Sequence, residues 1–168
     1  MKVLELFAGT RSIGKVFEAK GHEVFSVEWD RNFENIDLYQ DIGTITAEDI
    51  LQKFGKPDVI WASPDCSTFS VAAISHHRRK NAETGNLDPI SEYAKFCDEV
   101  DQHVLQLIDE LNPQFKPPCK NGDSCHEKAP RGSRTGTQGL NGSKNRSVIP
   151  EALCKHIVEI CEEYERRE

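Results

Sequence analysis

Residues 2–30, KVLELFAGTRSIGKVFEAKGHEVFSVEWD, decide the fold. Residues 2–7 form a short apolar run suited to a buried parallel strand, and the glycine-bearing AGTRSIG stops it. From about Ser12 to Lys20, Ile13, Val16 and Phe17 recur on one helical face, with Gly21 as the stop. Residues 23–30 then return to strand character. Strand, glycine turn, helix and strand at this spacing are the opening of a doubly wound α/β sheet.

The pattern continues outward. IDLYQDI reads as a weaker third strand. Thr46 caps a helix through Phe54 in a Thr-x-x-Asp form of the capping box, and Gly55 ends it. PDVIWAS is a fourth strand, broken at Ser63-Pro64. After a polar loop, Asp88 as cap and Pro89 in the first turn open a helix to about Leu111. Tyr93, Phe96, Val100, Val104, Leu107, Ile108 and Leu111 supply its apolar stripe, and Asn112-Pro113 ends it. Residues 114–147 show almost no periodicity. Pro150 starts a last helix with Leu153, Ile157, Ile160 and Tyr164 inward.

The 168 residues suit one domain with one core. No apolar run reaches membrane-spanning length, and MKVLELFAG reads straight into a strand, without the layout of a secretion signal. A soluble cytoplasmic protein is expected. The six cysteines are scattered rather than arranged as a dense framework, which favours reduced thiols. A net charge of −7 argues at first against a nucleic-acid partner. Its distribution says otherwise. Lys116, Lys120, Lys128, Arg131, Arg134, Lys144 and Arg146 face only Asp123 and Glu127 between residues 114 and 147, and His76-His77-Arg78-Arg79-Lys80 forms a second basic cluster. Local potential decides contact with phosphates. Two solvated polar loops are the plainer reading of the same charges.

Ligands of doubly wound sheets sit beyond the carboxyl ends of the strands. Four candidates fall there. The turn at Phe7-Ala8-Gly9 lets backbone approach a ligand. Glu28, about 20 residues after the glycine, can bridge the hydroxyls of a ribose. Trp29 offers a flat face to an adenine, and Asp41 can accept from its amino group. Cys66, in SPDCSTFS past the fourth strand, is a candidate nucleophile, close to a helix start and a basic cluster. Taken singly, the two carboxylates can be surface groups, Trp29 an edge aromatic and Cys66 a small buried hydrophobe. Asp65 beside Cys66 opposes thiolate formation. Together the positions spell a nucleoside pocket with a thiol at its edge.

FAGTRSIG, SVEWD, QDI and SPDCSTFS, in this order and spacing, resemble the DNA cytosine-5 methyltransferases, with the nearest likeness to short phage-type members. The resemblance covers roughly residues 1–113 and 139–168. It implies a Rossmann-like, class I S-adenosylmethionine-dependent methyltransferase sheet with flanking helices, lacking part of its strand set. Cofactor contacts are implied at Phe7, Ala8, Gly9, Ser12, Glu28, Trp29, Asp41, Ile42 and Pro64, and at Ser147 and Val148 in a segment that returns to the pocket. Cys66 is the implied nucleophile, matching Pro-Pro-Cys with Asp65 in place of the second proline. The implied cofactor is S-adenosylmethionine and the implied partner is DNA, in a bacterial or phage-infected cell. The expected organisation is a cofactor-binding catalytic core at 1–113, a basic irregular segment at 114–147 as a candidate DNA contact, and a C-terminal helix at 148–168 packing back on the core.

One family feature is missing. A Glu-Asn-Val segment, whose glutamate holds the cytosine ring, is expected on a fifth strand after the helix ending near Leu111. Here Asn112-Pro113 runs into QFKPP instead. A strand order of 3-2-1-4 would leave the fourth strand as an edge. The expectation is an omitted segment between Pro113 and Gln114, visible as Cα atoms farther apart than about 3.8 Å. A true deletion would instead impair catalysis and leave a cofactor- or DNA-binding module. Cys119, Cys125 and His126 are weighed as zinc ligands and not adopted, since no fourth ligand is evident. Cys97, Cys154 and Cys161 read as packing residues. An oxidoreductase domain is disfavoured without G-x-G-x-x-G, and a Cys66–His76 or Cys66–His77 hydrolase lacks an orienting group.

Overall fold

The structure, a computed structural model, describes residues 1–70, 72–113, 149 and 151–167. The main sheet contains β1 (Lys2–Leu6), β2 (Glu23–Glu28), β3 (Leu38–Tyr39) and β4 (Val59–Ala62), all parallel, in the order β3-β2-β1-β4. This is the Rossmann-like α/β arrangement expected from the sequence. Among the described residues β4 has no strand on its outer side. Gln114, and with it the Pro113–Gln114 junction, lies outside the described residues. So do the basic 114–147 segment, the Cys119, Cys125 and His126 cluster, Ser147 and Val148.

Alternation along the strands builds two cores. Leu4 and Leu6 of β1 point to one face, joining Val27, Ile42, Ile45 and Ile50 beneath Val104, Leu107 and Leu111. Val3 and Val59 point to the other face, with Ile13, Phe17, Cys154, Val158 and Cys161. Helices cover the sheet accordingly: α1 (Gly14–Ala19) and the C-terminal α5 (Glu151–Glu165) on one side, α2 (Ala47–Lys53) and α4 (Glu92–Leu111) on the other. Thr46 caps α2 in the expected box. Its hydroxyl accepts from the Asp49 N–H at 3.1 Å, and the Asp49 carboxylate accepts from the Thr46 N–H at 3.0 Å.

Three readings are corrected. Residues 87–89 do not open a helix. They form β6 (Leu87–Pro89), antiparallel to β5 (Arg78–Lys80), which follows the short α3 (Ile74–His77). The cap of α4 is Ser91, whose hydroxyl accepts from the Ala94 N–H at 3.1 Å. On α4 the buried face runs through Ala94, Cys97, Val104, Leu107 and Leu111, while Tyr93 and Phe96 stand exposed. On α5 the inward residues are Cys154, Val158 and Cys161, while Leu153, Ile160 and Tyr164 are largely exposed. The small side chains face α1, with which α5 is in contact. All three helical cysteines are packing residues, as expected. Among the described residues no helix is long and apolar enough to cross a membrane.

Candidate functional site

Because all four strands are parallel, their carboxyl ends share one rim. The ladder continues past those ends and fixes the turns that follow: Ala8 N–H donates to Val27 O (3.1 Å), Gln40 N–H to Glu28 O (3.0 Å) and Ser63 N–H to Leu6 O (3.3 Å). The β1 turn is held in an uncommon conformation. Phe7 and Gly9 both have positive φ, 55° and 50°. Glycine adopts that region freely, whereas Phe7 costs about 1–3 kcal/mol, a strain tolerated where surrounding structure enforces it.

Glu28 is the enforcing group. It is buried, and one carboxylate oxygen accepts from Gly9 N–H at 2.9 Å. The other accepts from Trp29 N–H (3.0 Å) and Asp30 N–H (3.1 Å). The acidic side chain at the end of β2 therefore locks the β1 turn to the β2 turn. Asp41 plays a similar local part, accepting from Gly43 N–H at 2.9 Å and capping the 3-10 turn Ile42–Thr44.

Two adjoining cavities open on this rim. The first, of about 400 Å³, is bordered by Phe7, Trp29, Asp41, Ile42, Pro64 and Asp65, and on the α4 side by Tyr93, Phe96, Cys97, Val100 and Asp101. The second, of about 630 Å³, is bordered by Glu5, Phe7, Ala8, Gly9, Ser12, Trp61, Ser63, Pro64, Asp65, Cys66, Ser67, Ser70 and Ile149. Nine residues named from the sequence thus fall on the two cavities: Phe7, Ala8, Gly9, Ser12, Trp29, Asp41, Ile42, Pro64 and Cys66. Glu28 lies beneath the turn between them. Ile149 N–H donates to the Ser12 hydroxyl at 3.2 Å, which brings the chain just beyond Val148 against the β1 turn.

Sequence reasoning missed the α4 wall. Tyr93 and Phe96 read as core stripe, yet Phe96 is 53% exposed and faces the first cavity with Trp29, itself 67% exposed. Tyr93 donates its hydroxyl to Asp65, and Asp65 also accepts from Ser67 N–H at 2.7 Å. Burial raises the Asp65 carboxyl, but the Tyr93 and Ser67 donors outweigh it and leave it below the usual carboxylate range. The same hydrogen bond, with burial, pushes Tyr93 up to about 12. Burial and the neighbouring Asp98 raise Asp101.

Glu5 was also missed, although a glutamate in a buried strand is itself a signal. It is 2% exposed, accepts from Gly14 N–H at 3.0 Å, and lies 4.0 Å from the Arg11 guanidinium. Its second oxygen and Arg11 Nε have no hydrogen-bond partner among the described residues. Burial pushes its carboxyl from the ordinary 4.5 to about 7, against the lowering effects of Gly14 and Arg11. A Cβ on Gly14 would meet Glu5 Oε2 at 2.3 Å, so the buried carboxylate would have to shift to admit it.

Cys66 is exposed and immediately precedes a 3-10 turn, Ser67–Phe69. The basic cluster after it is only partly a surface feature. Arg79 and Lys80 are exposed, but Arg78 is 4% exposed and engaged internally. Among the described residues no group of His, Cys, Asp and Glu could hold a metal ion.

The C-5 cytosine-specific DNA methylase family model matches residues 1–105. Among solved structures the chain is similar to a mutant of Spodoptera frugiperda DNMT2, with 17% identity and a TM-score of 0.40 over 66% of this chain and 32% of that one. The chain thus spans about a third of that protein's length. No curated protein sequence matches.

Proposed function

Because the chain belongs to the C-5 cytosine-specific DNA methylase family, we propose that it methylates C5 of cytosine in DNA, using S-adenosylmethionine as methyl donor and Cys66 as nucleophile. The observation that carries this reading is the placement of Cys66 and the Phe7–Gly9 turn on one cavity, continuous along Phe7 and Pro64 with an aromatic-walled one. The residues present fit the donor. Trp29 and Phe96 offer faces for an adenine, Asp41 borders the same space, and the second cavity leads past Gly9 and Ser12 to the thiol. Its size range suits a small-molecule ligand.

When bound, S-adenosylmethionine supplies an electrophilic methyl group. Cys66, as thiolate, adds to C6 of a cytosine that has left the base stack, and the ring becomes nucleophilic at C5. After methylation a base takes the C5 proton, the C5–C6 double bond re-forms as the C6–S bond breaks, and Cys66 leaves as thiolate with the ring aromatic again. Glu28 keeps the turn over which the donor lies in place. The basic 114–147 sequence supplies phosphate contacts, which makes DNA binding weaken with salt. In this scheme residues 1–113 are the catalytic core, and 148–168 close it from the C-terminal side.

Fluorine at C5 of the target cytosine prevents the final elimination, so an active protein is trapped on such DNA. The parent should form an adduct in the presence of S-adenosylmethionine and Cys66→Ser should form none. Equal trapping by Cys66→Ser would assign the nucleophile elsewhere. A second reading, a binding module without catalysis, is favoured by the lack of a Glu-Asn-Val segment after α4 and by the open edge of β4 among the described residues. Calorimetric binding of S-adenosylhomocysteine without any adduct would select it.

A further inference from the structure

Arg78 has no part in the function proposed above, yet it is the most completely engaged side chain near Cys66. A guanidinium has five N–H donors. Here Nε and Nη2 donate to the Thr68 hydroxyl at 3.1 and 3.0 Å. Nη2 and Nη1 form a fork onto Asp98 of α4 at 2.5 and 3.2 Å, and Nη1 also reaches the Leu87 carbonyl of β6 at 3.4 Å. Its Cζ lies over the Phe69 ring, 3.6 Å from the centroid. Thr68 is fully buried. One side chain therefore joins the turn directly after Cys66, the β5–β6 hairpin and the helix that walls the first cavity.

This arrangement needs arginine. A lysine carries its donors on one atom and cannot reach Thr68 and both Asp98 oxygens in fork geometry. The charge is also paired with Asp98 rather than presented to solvent, so Arg78 is unavailable as a phosphate contact. A second tether, Tyr93 to Asp65, links α4 to the residue just before Cys66. The two tethers bracket the thiol.

We propose that Arg78 is the positioning residue of the Cys66 turn, holding the thiol at a fixed place relative to the α4 wall of the neighbouring cavity. The proposal rests on the reading of Cys66 as the nucleophile, and its test separates the two. Hydrogen exchange is measured on the parent, on Arg78→Lys and on Thr68→Val, which removes only the acceptor and keeps the side-chain shape. The Phe69 and Ser70 amides, bonded to Cys66 O and Ser67 O, should exchange about tenfold faster in both variants, with the β1 and β2 amides unchanged. Unaltered exchange at 69–70, or equal acceleration in the sheet, would overturn the proposal, because the first means no tether and the second a merely structural role. Trapping on fluorocytosine DNA adds the kinetic arm. Arg78→Lys should slow adduct formation about tenfold while half-saturation by S-adenosylmethionine stays the same. Equal trapping rates would also overturn it. A parent that forms no adduct refutes the nucleophile reading alone, and the exchange result then still decides whether Arg78 holds the turn.

Discussion

Glu5→Gln isolates the buried carboxyl under the β1 turn. The parent carboxyl is raised from 4.5 to about 7, chiefly by burial. Below the unfolded value both states carry the proton and the group is neutral in its effect. As pH rises from about 4.5 towards 7, the unfolded chain releases its proton while the folded chain retains it, so stability falls. Above 7 both states have lost it and the loss is complete. Each pH unit of displacement is worth about 1.4 kcal/mol, which makes the total roughly 3 kcal/mol. Glutamine keeps the acceptor for Gly14 N–H and cannot titrate. Urea unfolding of parent and variant between about pH 5 and pH 8 should therefore show the variant gaining on the parent by about 2.5 kcal/mol. With a slope near 2 kcal/mol per molar, the gap between midpoints widens by roughly 1 M. Taking the difference cancels the titration of every other group, since the two proteins share them all. Parallel curves over this range would show that Glu5 ionises as in water and that Arg11 compensates its burial.

Gly14→Ala should cost about 1–2 kcal/mol despite the better helix propensity of alanine, because its Cβ would also meet Val24 Cγ1 at 3.2 Å; thermal melting measures this, and an unchanged Tm would mean that the Glu5 carboxylate has room to turn away. Glu28→Gln places an NH2 group among three backbone N–H donors, and should weaken calorimetric binding of S-adenosylhomocysteine at least about tenfold. Affinity equal to the parent would remove Glu28 from the cofactor site.

Much of this was legible from pattern. A buried parallel strand stopped by turn-forming residues fixes where backbone leaves the sheet, and four such strand ends marked the rim. Helix faces were harder. The large apolar residues Leu153, Ile160 and Tyr164 look like a core stripe, but α5 turns the smaller Cys154, Val158 and Cys161 toward α1. Tyr93 and Phe96 mislead in the same way, since a cavity wall needs aromatics as much as a core does. Three-residue strands such as β5 and β6 carry no usable periodicity, so Asp88-Pro89 passed for a helix start. Nor does sequence reveal which charged side chains pair. Arg78 with Asp98, or Glu5 with Arg11, becomes visible only once the chain has folded.

Phe7, Pro64 and Asp65 border both cavities, so the rim holds two adjoining chambers that share one wall. A ligand with one end in each makes its second set of contacts as an intramolecular event, at an effective concentration that reaches the millimolar range for a short linker. A free nucleoside or a free amino acid gains none of this. Under the proposed function, methyl transfer alters the ligand only between its two ends and leaves both seated. The spent donor would then compete with the fresh one, and turnover would be paced by departure from the two chambers together.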